Sequence, residues 1–310
     1  MIFITRQFIQ LLIIFAVTSI STSNPLFAQV HVHVLGVAQD AGRPQAGCRK
    51  TCCVDKFGKS RPNAMSTSLG ITLPDNNSIL VEATPDLTNQ WNLLNRLNNN
   101  ISPNAIFITH AHIGHYSGLI HLGREAMNTS NILVYGGPRL TSFLKNNGPW
   151  GQLVELNNIR LKSINENQQI SFIGLTVKAL KVPHRDEYSE TFGYVFQGKS
   201  KTLLFIPDID KWSKWNINMD SLIKTVDYAL LDGTFFGQSE LPGRNMSEIP
   251  HPFVSESIKK WRKWRTSEKA KVYFIHMNHS NPLFNIKSEE YETIYNEGFN
   301  VAVTGMSFTL

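Results

Sequence analysis

The stretch Ala105-Ile106-Phe107-Ile108-Thr109-His110-Ala111-His112-Ile113-Gly114-His115 decides how this chain reads. Its first four residues are apolar, the composition of a short buried strand. The histidines begin where that strand stops. Side chains alternate along extended chain, so His110 and His112 share one side. His115 follows three residues on, where a helix would start, and can turn into the same cavity. A lone histidine is commonly a satisfied core or surface residue. Three within six positions at a strand end are a set of imidazoles able to converge on one cation, and imidazole suits zinc, iron and similar borderline metals.

The design recurs downstream. Ala179-Leu180-Lys181-Val182-Pro183-His184 sets a histidine after a strand, Leu203-Leu204-Phe205-Ile206-Pro207-Asp208 an aspartate, and Val272-Tyr273-Phe274-Ile275-His276 another histidine. Around these, the apolar patterning predicts strands over 30–35, 68–73, 78–83, 105–108, 132–135, 175–182, 191–196, 202–206, 228–231, 272–275 and 299–303. Helices are predicted over 85–97, 138–145, 221–226, 253–264 and 288–296. No low-complexity linker interrupts this mixed α/β order, so residues 29–310 are expected to form one domain.

Of the 310 residues, 42% are hydrophobic and 17% charged, which excludes a disordered polyelectrolyte. The formal net charge of +6 is mild. It permits a small anionic substrate and gives no sign of a nucleic-acid partner. The basic run 259–265 reads as a solvated helix face, with Trp261 and Trp264 near its apolar side. Residues 1–28 read as a secretory signal: Arg6 as the only charge, an apolar run from Phe8 to Val17, a polar stretch, then Pro25-Leu26-Phe27-Ala28 with cleavage after Ala28. No second run is long enough to span a membrane, so the expected product is exported, periplasmic or secreted.

The ligand types and their order resemble the metallo-β-lactamase superfamily. Its signature, His-x-His-x-Asp-His after a strand, is completed by a histidine, a bridging aspartate and a last histidine at later strand ends. The resemblance implies an αββα four-layer sandwich of two similar halves, with one or two metal ions at the sheet edges, zinc foremost and iron as the alternative. Carried over, it gives His110, His112 and His184 to a first metal, and His115 and His276 to a second, with Asp208 between them. The signature's aspartate is Gly114 here, which favours a single ion or a weak second site. Asp232 and His279 are the residues offered as compensation. Asp232 reads more simply as an acceptor that orients a ligand histidine.

Within the superfamily the chain is similar to the pyrroloquinoline quinone biosynthesis protein B family almost end to end. The resemblance rests on Val34-Leu35-Gly36, Pro44-Gln45 and the cysteine cluster, and on Ala83-Thr84-Pro85-Asp86-Leu87. It continues through Asp232-Gly233-Thr234-Phe235, Gly243-Arg244-Asn245-Met246, Ile275-His276-Met277-Asn278-His279-Ser280-Asn281-Pro282 and Gly305-Met306-Ser307-Phe308-Thr309-Leu310. That family often lacks the first histidines of the signature, keeps its aspartate and is cytoplasmic. This chain reverses all three, which points to an exported relative with its own substrate.

The same resemblance implies a structural zinc site at Cys48, Cys52 and Cys53, whose fourth ligand the sequence does not name. A disulfide with one thiol left over is the rival. The polar loop from Gln238 to His251 follows the strand carrying Asp232. It reads either as plain surface or as a site mouth, where Arg244 would bind an anionic group; Arg185 offers the same choice. The function expected is a metal-dependent hydrolase acting on an ester, lactone or phosphodiester, with Asp208, Asp232 and His279 as catalytic candidates. Two alternatives stand beside it: an iron-dependent oxygenase built on two histidines and Asp208, and a biosynthesis or binding protein for a quinone-like cofactor.

Overall fold

The computed structural model describes residues 29–58, 64–99, 101–243 and 245–310. The segment read as a secretory signal, and Arg244, lie outside the described residues. Among the described residues, β1 (His31–Gly36), β2 (Ser68–Thr72), β3 (Ser78–Val81), β4 (Ala105–Phe107), β5 (Ile132–Gly136), β6 (Ile159–Ser163), β7 (Gln169–Phe172), β8 (Leu175–Val182), β9 (Thr191–Gln197), β10 (Thr202–Ile206), β11 (Tyr228–Asp232), β12 (Val272–Ile275), β13 (Asn300–Val301) and β14 (Ser307–Thr309) are the strands. They build two seven-stranded sheets, ordered β14-β1-β2-β3-β4-β5-β6 and β13-β12-β11-β10-β9-β8-β7.

Each sheet changes direction at its middle. The pairs from β14 to β3 are antiparallel and those from β3 to β6 parallel. Likewise β7 to β10 pair antiparallel and β10 to β13 parallel. Local sequence accounts for the switch. Pro74-Asp75-Asn76-Asn77 is long enough only for the hairpin joining β2 to β3, whereas a parallel neighbour needs a crossover, supplied between β3 and β4 by the helix Leu87–Leu97.

The two sheets share a core. Val32, Val34 and Phe107 of the first meet Tyr194, Phe196 and Leu231 of the second, and Phe107 stands edge-on to Tyr194 with ring centroids 5.4 Å apart. The helices Leu87–Leu97, Pro138–Asn146 and Trp150–Glu155 cover the first sheet through Leu94, Leu140, Leu144 and Leu153. On the second sheet pack Val254–Trp261 and Glu289–Asn296, through Ile258, Trp261 and Ile294. The arrangement is helix, sheet, sheet, helix. No helix among the described residues is long and apolar enough to cross a membrane.

Where elements differ from the sequence-based expectation, the reason is local. The strand expected over 299–303 shortens to Asn300–Val301. The helix expected over 221–226 starts earlier, at Met219, because the Asn218 side chain accepts the Asp220 N–H at 2.8 Å and caps it. Strands β6, β7 and β14 went unanticipated. All three are sheet edges, and edge strands carry polar and charged residues such as Arg160 and Lys162, which blur the apolar signal. For function, the strand ends matter most. His110, His184, Asp208 and His276 lie one to three residues past the ends of β4, β8, β10 and β12, and Asp232 is the last residue of β11, the general location of sites in sheets with parallel strands.

Candidate metal centre

Asp208 lies at the middle of the cluster, 3% exposed. Its Oδ2 is 2.9 Å from His115 Nε2, 3.2 Å from His276 Nε2 and 3.7 Å from His110 Nε2. Its Oδ1 faces the other way, 3.7 Å from His184 Nε2 and 3.4 Å from His251 Nδ1. On the first side of the cavity, His110 Nε2 and His184 Nε2 stand 2.8 Å and 3.3 Å from His112 Nδ1. Three imidazole nitrogens therefore gather at one point beside a carboxylate.

Four of these rings have a partner on the side away from the cavity. Thr109 Oγ1 is 2.8 Å from His110 Nδ1, and Glu187 Oε2 is 2.9 Å from His112 Nε2. Glu82 Oε1 lies 3.3 Å from His115 Nδ1, and Thr234 Oγ1 3.0 Å from His276 Nδ1. Such outer contacts fix tautomer and ring plane, leaving the other nitrogen to face the cavity. Backbone strain accompanies the arrangement. Asp40, Glu82 and His276 adopt φ of 42°, 71° and 64°, a left-handed conformation that costs on the order of 1 kcal/mol or more per residue.

Residues 77–277 match the family described as the Beta-lactamase superfamily domain. The chain belongs to the beta-lactamase superfamily. Coenzyme PQQ synthesis protein B of Methylorubrum extorquens strain PA1 is similar to it, 23% identical over 314 residues that span 91% of this chain and 100% of that protein. Among solved structures, the zinc-bound PqqB of Methylobacterium extorquens superposes with a TM-score of 0.73 at 21% identity, over 90% of this chain and 100% of that one. A diphosphatase of the PhnP family reaches 0.62 at 19% identity, over 91% and 97%. The αββα arrangement of this chain is the metallo-β-lactamase fold.

The protonation pattern suits the metal sites that this superfamily implies. Burial pushes His184 and His276 each down to about 4, and drives His110 well below the usual imidazole value with help from His115. These rings are neutral near pH 7, with lone pairs available. For Asp208, burial alone would raise the carboxyl; the surrounding His276, His115 and His184 outweigh it and hold the group well below the usual carboxylate range. His115 runs opposite to its neighbours. Burial lowers it, but Glu82 and Asp208 overcome that and keep it well above the usual value. The negative surroundings that hold this proton would equally hold a divalent cation in its place. His115 Nε2 and His276 Nε2 are buried in the cavity and, among the described residues, face only the Asp208 carboxylate at short range, so both point where a bound metal would sit. The donor set fits zinc or iron.

In this superfamily member the remaining sequence-named residues divide. Asp232 accepts from Thr234 N–H and hydroxyl at Oδ1, and lies within 3.1 Å of Ile209 N and 2.8 Å of His251 Nδ1 at Oδ2. With both oxygens so engaged, it orients His251 and, through Thr234, His276. This geometry agrees with the simpler sequence reading of Asp232 as an acceptor that orients a ligand histidine. His279 lines the cleft and also approaches a second cluster. Its ring nitrogen lies within 4.8 Å of Cys48, Cys52 and Cys53 Sγ atoms, the fourth donor that the sequence left unnamed, and no disulfide joins the three cysteines. Lys50 and Arg185 line a cleft of about 370 Å³ with Asp40, Phe235, His251 and His279.

Two cavity residues were not named as ligands from the sequence. His251 had only a loop of ambiguous character to recommend it, and burial among Asp232 and Asp208 is what gives it weight. Asp40 lies in Gln39-Asp40-Ala41-Gly42, which reads as an ordinary turn. Only the fold brings that turn against the helix that carries His115.

Proposed function

We propose that this chain is a metal-dependent hydrolase for a small anionic ester, a phosphodiester foremost and carboxylic esters or lactones next. The observation that carries the proposal is the convergence of His110, His112, His184, His115 and His276 on Asp208 beside a cleft bearing Lys50 and Arg185. Zinc bound there would lower the pKa of a coordinated water to about 7 and act as a Lewis acid toward the substrate oxygen. Asp208, ionised at neutral pH, would orient the attacking water through its carboxylate. Lys50 and Arg185 would bind the substrate anion. His251 is buried, yet Asp232 raises it above the usual imidazole value, which supports a role as proton donor to the departing oxygen. A second zinc among Cys48, Cys52, Cys53 and His279 would be structural, tying the turn after β1 to the segment after β12.

The likeness to a PhnP-family diphosphatase agrees with phosphoester chemistry. A second proposal, iron-dependent oxygenation or another step on a quinone-like compound, draws on the whole-length similarity to PQQ synthesis proteins. The pattern of residues 1–28 supports export to the periplasm or beyond.

The test is a panel of activated ester, lactone and phosphodiester substrates with the zinc-loaded protein, beside His110→Ala and His184→Ala. We expect phosphodiester turnover that falls about a hundredfold or more in either variant. Turnover indifferent to both changes, or surviving full metal removal, contradicts the hydrolase proposal. Iron-dependent oxygen uptake with a phenolic substrate, in place of hydrolysis, would favour the second.

A further inference from the structure

Gly114 stands where the superfamily signature has its aspartate. The structure shows what fills the space that side chain would need. A Cβ at Gly114 would meet Asp40 Cα at 2.4 Å and Asp40 Oδ1 at 2.7 Å. The carboxylate of Asp40, from a turn more than seventy residues earlier in the chain, therefore sits where a residue at 114 would project.

That turn is held firmly. Ala38 bridges both Ser66 and Met277. Gln39 N donates to Met277 O at 2.8 Å, and the Gln39 side chain accepts from Asn278 Nδ2 at 2.7 Å. Asp40 is thus fastened to the segment that carries His276. One carboxylate oxygen of Asp40 and one ring nitrogen each of His115 and His276 all lie within 4.8 Å of one another. Both histidines are 1% exposed, and among the described residues the only side chain facing their Nε2 atoms at short range is the carboxylate of Asp208. Asp208 Oδ2 faces the same two nitrogens at 2.9 and 3.2 Å.

We infer that Asp40 replaces the signature's aspartate as a ligand of a second metal ion, completing a site with His115, His276 and the bridging Asp208. This rests on the proposed metal centre and deepens it: the protein is dinuclear despite Gly114. The carboxylate has moved to another segment of the chain. The exchange is sterically coupled, because the Asp40 turn can occupy this position only when residue 114 has no side chain. The donor set of two imidazoles and two carboxylates suits zinc, manganese or iron(II).

The experiment counts metal. Purified protein is stripped with chelator and titrated with cobalt(II), with bound metal measured by mass spectrometry. The thiolate-to-cobalt charge-transfer band counts the cysteine site separately. Wild type should take two equivalents in the histidine cavity. Asp40→Asn, similar in shape and uncharged, should keep one and bind the second at least about tenfold more weakly, with the melting temperature of the stripped protein unchanged. Two cavity equivalents in Asp40→Asn at unaltered affinity overturn the inference. So does a single wild-type equivalent untouched by the substitution, which leaves the hydrolase proposal standing. No cavity metal in wild type overturns both. If the variant fails to fold, anomalous scattering from cobalt-loaded wild-type crystals decides: a peak in bonding contact with the Asp40 carboxylate supports the inference, and its absence there overturns it.

Discussion

Asp208 is held ionised while His110, His184 and His276 are held neutral, the states a metal needs, and His115 keeps a proton that a cation would displace. The positions of these residues were readable from the sequence. A strand that ends in a ligand is a local pattern, so His110, His112, His115, His184, Asp208 and His276 could be named from the sequence. Glu82, His251 and Asp40 could not, since each gains its significance from a partner distant in the chain. Glu82, for instance, is wholly buried between Thr109 N and His115 Nδ1. At this scale one prediction concerns Glu240, beyond the cavity. Burial pushes its carboxyl up to about 7, against the pull of the Phe236 N–H and the Ser280 hydroxyl. The folded protein then holds this proton more tightly than the unfolded chain. The resulting stability is fully present below the unfolded value of about 4.5 and is lost as pH rises through about 7. Urea unfolding from about pH 5 to about pH 8 should show wild type losing about 1–3 kcal/mol that Glu240→Gln retains. Identical pH profiles would count against this account of the group.

Elements were legible where they are buried. The strands that carry ligands run through the core and keep their apolar character, and β8, β10 and β12 match the predicted limits of 175–182, 202–206 and 272–275. The edges β6, β7 and β14 were missed because a strand with one free side and a polar face lacks a continuous apolar run. The short helix Ile113–Tyr116 shows what a pattern cannot express. It turns His115 inward, and its Gly114 makes room for a foreign carboxylate. Restoring the signature by Gly114→Asp should therefore harm the protein. With a backbone atom 2.4 Å from the new Cβ, the cost should be about 1–3 kcal/mol, measured by denaturant unfolding of the metal-free protein. A variant as stable as wild type would mean that the Asp40 turn moves aside without penalty.

For the whole molecule, the repeated sheet plan carries the functional consequence. Two halves of like topology bring strand ends from both sheets to one edge, so ligands spread over some 170 residues of chain, from His110 to His276, meet in one cavity. A metal at the cysteine cluster would serve a different end, joining the turn after β1 to the segment after β12 that holds His279. Cys53→Ser should lower the melting temperature of the zinc-loaded protein by several degrees, about 1–3 kcal/mol at this size, and leave the cavity metal count unchanged. Loss of cavity metal along with the cysteine-bound ion would show that the two sites are not separable.

The central claim, that the histidine cavity holds metal, is tested most directly by anomalous diffraction at the zinc edge from crystals of the zinc-loaded protein. The account predicts peaks on either side of the Asp208 carboxylate, one against His110, His112 and His184 and one against His115 and His276. A cavity without any such peak, in crystals whose cysteine cluster does show one, would contradict it.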